Sequence, residues 1–137
     1  MPSHTSSRPA RPEDVAEICL ALPEAEATTS WGDRPTYAVR TKGFVLYRGP
    51  RKDAVDEHGD RLTDVILIRT PDLADKEALV QGDGPFFTTD HFTGYAAVLL
   101  RESEIGRLSR AELAEVITDA WLSVAPKRLA KAFLEQS

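Results

Sequence analysis

Two runs, Val65-Ile-Leu-Ile68 and Tyr95-Ala-Ala-Val-Leu-Leu-Arg101, are apolar at consecutive positions rather than at alternate ones. Strands of that kind are apolar on both faces, and for Val65 to Ile68 this suits a central strand of a sheet better than an edge. The rest of the chain has to be arranged around them.

Further strand signals lie on either side. From Thr36 to Arg48, β-formers flank Thr41-Lys42-Gly43, which predicts a hairpin with Gly43 as the left-handed residue of a three-residue loop. Such a loop pairs Arg40 with Phe44, Val39 with Val45, Ala38 with Leu46 and Tyr37 with Tyr47, placing two tyrosines and two valines on one face. A two-residue Lys42-Gly43 turn is the alternative and shifts that register. Phe86-Phe-Thr-Thr89 reads as one more strand.

Helical periodicity fills the remainder. Val15, Ile18, Cys19 and Leu22 share a stripe that begins behind Pro12 and closes at Pro23. Thr70 is the expected cap of a middle helix, with Pro71 in its first turn, Gln81 at its end and Gly82 beyond. Ser109-Arg-Ala-Glu112 is a capping box ahead of the stripe Leu113, Val116, Ile117, Ala120, Trp121 and Val124. Pro126 interrupts it, and Leu129, Ala130, Phe133 and Leu134 mark a final helix. This order cannot form repeated βαβ units. The predicted class is α+β, a largely antiparallel sheet of about five strands with N-terminal, middle and C-terminal helices over one face. Residues 1–11 read as a flexible lead-in and 12–137 as a single domain.

Several function classes are disfavoured. Cys19 is the only cysteine, so intrachain disulfides and zinc-type Cys clusters do not arise, and a reducing cytoplasm is the expected compartment. No apolar run is long enough to span a bilayer. His58 with Asp56, Glu57 and Asp60 lacks EF-hand spacing, so no metal is expected, and no cofactor motif is present. Thr88-Thr89-Asp90-His91 is the one place where hydroxyls, a carboxylate and an imidazole meet. Neighbours in sequence diverge on a strand, and no nucleophile, base and orienter set emerges, so the chain is not expected to be an enzyme.

The net charge is −5, yet segment 34–52 carries six bases and no acids. This island, Arg34, Arg40, Lys42, Arg48, Arg51 and Lys52, is suited to laying a hairpin along phosphates. Lys127, Arg128 and Lys131 form a second basic group near a helix terminus. The competing reading pairs the island's arginines with the acids of 53–64 and assigns the later bases to a helix whose first duty is packing.

Four segments together resemble the MmcQ/YjbR family. They are Asp14 to Leu22 with Pro23-Glu24-Ala25, Thr36 to Phe44, Gly94-Tyr-Ala-Ala-Val98, and Asp119 to Ala130 with its Ala125-Pro126-Lys127-Arg128 core. Tyr95 stands where that family frequently has tryptophan. The resemblance implies a sheet of about five strands flanked by helices, similar to secretion chaperones and frataxin-like domains, in a small bacterial-type protein of DNA-binding type. It brings no catalytic residues, cofactor or metal site.

Two functions follow as expectations. The first is DNA binding through Arg34, Arg40, Lys42, Arg48, Arg51 and Lys52 with Lys127, Arg128 and Lys131. The second is a non-enzymatic module that holds a small apolar molecule or a protein partner on the open sheet face, near Trp31, Thr88, Thr89 and His91.

Overall fold

A computed structural model describes residues 7–30 and 33–136. Its five strands lie side by side in chain order, β1 (Ala25–Ser30), β2 (Arg34–Val39), β3 (Lys42–Arg48), β4 (Val65–Arg69) and β5 (Ala97–Arg101). Every neighbouring pair is antiparallel. The helices are α1 (Pro12–Ala21), α2 (Leu73–Gln81), α3 (Arg110–Val124) and α4 (Lys127–Gln136). The expected α+β class is the observed one.

The two apolar runs are the last two strands of the meander: β4 is central, whereas β5 is the edge of the sheet, its outer side bridged among the described residues at Phe87–Leu99, and it is apolar on both faces because both faces are covered. Val65 to Ile68 and Ala97 to Leu100 are buried at every position. Alternation along the strands then sorts their side chains. Val45, Ile68 and Val98 form one row and point with Ile66 and Leu100 into the larger core, beneath α1 and α3. Leu113, Ile117, Ala120 and Trp121 meet them from α3, each fully buried. Leu46, Leu67 and Leu99 form the adjacent row and face the other way, into a second cluster with Val65, Ala97, Phe92, Ala54 and Leu62. Among the described residues none of the four α-helices contributes to that second cluster. Its cover is the segment 49–64, which buries Ala54 and Leu62, and the segment 86–95, which buries Phe92.

Several local expectations are corrected. The hairpin turn is made by Arg40 and Thr41, both left-handed at φ 50° and 71°, so neither the three-residue loop nor the Lys42-Gly43 turn forms. Tyr37 faces Val45 while Ala38 faces Gly43, and Phe44 is the extra residue of a bulge. Gly43 is instead a point of close approach, because a Cβ there would come within 3.2 Å of Thr36 Cγ2. The tyrosines and valines nonetheless lie against the larger core together. Phe86 to Thr89 makes only a bridge from Phe87 to Leu99, since Thr89 turns away to bond Asp53. The fifth strand is β1, Ala-Glu-Ala-Thr-Thr-Ser, an edge with four of its six residues exposed. At α2 the cap is Asp72, whose carboxylate accepts from the Asp75 amide at 2.8 Å, rather than Thr70. The capping box at Ser109 forms as read, with bonds of 3.0 Å and 2.8 Å.

Residues 1–6 of the segment read as a lead-in lie outside the described residues, whereas Ser7–Arg11 is tied down. Ala10 is buried and donates to Leu108 O, and Arg110 N donates to Arg8 O. The fastening is Asp14, fully buried, which accepts from both terminal nitrogens of Arg8 at 2.8 and 2.7 Å, from the Arg11 amide at 2.7 Å and from Arg110 Nε at 3.3 Å. Among the described residues no helix is long and apolar enough to cross a membrane.

Replacing Asp14 with alanine is expected to cost about 2 kcal/mol, because charge-assisted bonds from three directions are lost together. The Arg8 hydrogen bonds, outweighing burial, hold the Asp14 carboxyl well below the usual range. A carboxyl pKa lowered by folding gives stability that is complete above the ordinary Asp range and drains away as pH falls below about 5. Urea denaturation at several pH values should therefore show the wild type losing stability more steeply on acidification than Asp14→Ala. Parallel curves would contradict this role.

Candidate functional site

The loop-covered face carries the site because its cover is incomplete. Arg48 lies on the same face of β3 as Leu46, two residues on, and opposite Val65 of β4. That register sends a guanidinium into an apolar layer, where it is 4% exposed. A buried cation needs a partner, and Asp53 supplies one at 2.6 Å. Thr89 Oγ1 donates to the other oxygen of Asp53 at 2.5 Å, and Phe92 lies under the guanidinium with its ring centroid 4.9 Å away. Burial opposes ionisation of Asp53, but the bonds from Arg48 and Thr89 outweigh it and hold the carboxyl below its ordinary range.

Two adjoining cavities open beside this tie. One, of about 320 Å³, is lined by Arg48, Arg51, Lys52, Asp53, His91 and Phe92. The other, of about 270 Å³, is lined by Leu46, Leu67, His91, Phe92 and Tyr95. His91 and Phe92 are common to both, so the cleft has a cationic half and an apolar half with two stacked-edge rings at the boundary, 4.9 Å apart and nearly perpendicular.

The segment that carries those rings is pinned from behind. A 3-10 turn spans Asp90–Phe92, and the buried Lys76 of α2 donates from Nζ to Phe92 O at 2.6 Å and to Tyr95 O at 2.7 Å. Burial lowers the Lys76 pKa. Arg69 stands over the Tyr95 ring at 5.4 Å while donating to Gly43 O at 2.7 Å. Tyr95 and His91 remain exposed on the cleft side.

The structure thus joins part of each candidate set. Arg48, Arg51 and Lys52 from the basic island meet Thr89 and His91, while Thr88 is exposed beside them. The other bases do not line either cavity. Arg34 begins β2 with its guanidinium against Gly49, and Arg40 is about 20 Å further along the strand at the usual rise per residue. Arg40 pairs with Glu24 at 2.6 Å in the open, and Lys42 is exposed next to that turn. Lys127, Arg128 and Lys131 project from α4, whose Phe133 packs on Trp121 at 5.0 Å, on the helical side of the sheet. Trp31 lies outside the described residues. Asp53, Phe92, Tyr95, Leu46, Leu67 and Lys76 were not singled out as site residues. For Leu46, Arg48 and Leu67 the strand period was a usable signal, whereas nothing local marks Lys76.

A five-stranded antiparallel meander, helical on one side and looped over on the other around a half-cationic cleft, defines a small α+β domain with a site on its sheet face. The chain belongs to the YjbR family, whose sequence profile matches residues 20–123. Uncharacterized proteins of Mycobacterium tuberculosis and Mycobacterium bovis are 47% identical to it over 75 residues, covering 54% of this chain. The match spans 56% of those curated relatives' length. A Pseudomonas syringae protein of known structure superposes with a TM-score of 0.60 at 14% identity, over 79% of this chain and 93% of that one. A Deinococcus radiodurans protein with the DUF419 domain gives 0.58 at 17%, over 92% and 86%. These two share the fold.

Replacing Asp53 alone with leucine leaves the Arg48 cation buried without its counter-ion, and is expected to cost about 3 kcal/mol. Adding Arg48→Met should recover part of that loss in chemical denaturation. A double variant as unstable as the sum of the two singles would show that the pair is not coupled.

Proposed function

We propose that this YjbR-family domain is a non-enzymatic binding module that takes a small amphiphilic anion in the cleft on its loop-covered sheet face. The observation that carries the reading is the composite cleft itself, in which a cationic rim, whose Arg51 and Lys52 form no ion pair with any described residue, and an apolar slot share His91 and Phe92. Binding sites of this kind combine an apolar lining with a few convergent polar groups that fix orientation. Arg51 and Lys52 provide the charge, because Arg48 is already matched by Asp53. Binding without chemistry is favoured because Asp53, Thr89 and Arg48 are engaged with one another rather than poised around a reacting atom. A reducing cytoplasm suits the buried Cys19, whose thiol burial pushes up to about 12.

The DNA-binding assignment draws on cations that are spread over different parts of the molecule. A duplex laid on Arg51 and Lys52 would leave Lys127, Arg128 and Lys131 on the helical side of the sheet, with Arg40 held by Glu24. Local anion capture needs only the two cations at the cleft.

A thermal-shift series with aromatic and aliphatic carboxylates, sulfonates and phosphates, run beside a duplex oligonucleotide at low salt, separates these readings. A saturating amphiphilic anion should raise the midpoint by about 5 °C. Arg51→Glu with Lys52→Glu should abolish that rise while leaving the unliganded midpoint unchanged, since both side chains are exposed. Stabilisation by the duplex alone, falling steeply with salt, would favour DNA and contradict the small-anion reading.

A further inference from the structure

Resting on the cleft reading above, we infer that the ligand is a phosphate monoester carried on a flat ring. The charge at the site comes first. Arg48 and Asp53 cancel across 2.6 Å, and both are largely withdrawn from water, at 4% and 20% exposure. Arg51 and Lys52 then remain as adjacent, exposed cations on one cavity wall, with no ion pair to any described residue. Two unmatched positive charges complement an anion of about two negative charges, which is what a phosphate monoester carries at neutral pH. A carboxylate, with one charge, leaves one cation unanswered. The phosphate also offers three acceptor oxygens, enough for Arg51, Lys52 and the His91 imidazole, which line the same cavity.

The apolar half selects the body. Its floor is Leu46 and Leu67, paired across β3 and β4, and its walls are the rings of Phe92, Tyr95 and His91. Those walls are held in place by the Lys76 bonds to the Phe92 and Tyr95 carbonyls and by Arg69 over Tyr95. A slot edged by the exposed rings of Tyr95 and His91 beside the buried ring of Phe92 favours a planar aromatic body, which stacks or meets them edge to face. A flexible alkyl chain has no π-face to set against those rings and loses rotamer freedom on entering the slot. The two halves meet at His91 and Phe92, so phosphate and ring belong to one small molecule in which a bond or a sugar-sized spacer joins them.

Isothermal titration of the full chain with phenyl phosphate and adenosine 5′-monophosphate, against benzoate, adenosine, inorganic phosphate and decanoate, tests this. The tighter of the two monoesters should exceed every control by about tenfold or more. Tyr95→Ala should weaken the monoester and leave inorganic phosphate unaffected, and Arg51→Gln with Lys52→Gln should erase the preference for phosphate over carboxylate. If benzoate or decanoate binds as tightly as the monoesters, the phosphate-and-ring assignment is overturned while the cleft remains an anion site. If none of the six compounds binds, the cleft reading fails with it.

Discussion

The fold depends on one constraint, that strands β4 and β5 are apolar on both faces and the sheet therefore needs two covers. Helices α1 and α3 supply the first, around Trp121 and its neighbours. The second has to come from the connections, because α2 and α4 add nothing to the cluster around Leu67 and Leu99. Loops cover less completely than helices, since backbone polar groups keep them near water. The cleft is the gap that this second cover leaves. A site on this face is thus a consequence of how the apolar strands are buried.

Charge is what holds the loop cover in place. The register of β3 delivers Arg48 into an apolar layer, and the need to satisfy it draws in Asp53 from one connection, while Asp53 in turn draws in Thr89 from the other. Lys76 works from behind the same segment through two carbonyls. On the helical side Asp14 does the comparable job, gathering Arg8, Arg110 and the Arg11 amide and docking the chain ahead of α1 onto the start of α3. In each case a buried charge fixes a segment that has little apolar surface of its own, because leaving the charge unpaired costs more than ordering the segment.

Strands β4 and β5, α1, the boxed start of α3 and the break at Pro126 were legible in the sequence because each rests on a strong local signal, although apolarity on both faces does not tell central β4 from β5 at the edge. The hairpin register was not. It turns on left-handed Arg40 and Thr41, residue types that seldom adopt that conformation, while the expected Gly43 is needed for proximity to Thr36. Strand β1 escaped because an exposed edge leaves no apolar alternation to read. The site was half legible: Arg48, Arg51, Lys52, Thr89 and His91 stood out by type, but in separate candidate sets. Only the fold shows that segments 48–53 and 89–95 meet across the second face. Asp53 and Lys76 act through partners distant in sequence, and no window of neighbouring residues reveals them.

The most direct check on the composite cleft is an amide-resolved NMR titration of the full chain with phenyl phosphate. Shifts concentrated at Leu46, Arg51, Lys52, His91 and Tyr95, with α4 and the Arg40 turn unmoved, are the result expected if both halves of the cleft act as one site. Shifts confined to α4 or to the Arg40 turn, or spread evenly over all exposed basic residues, would contradict it.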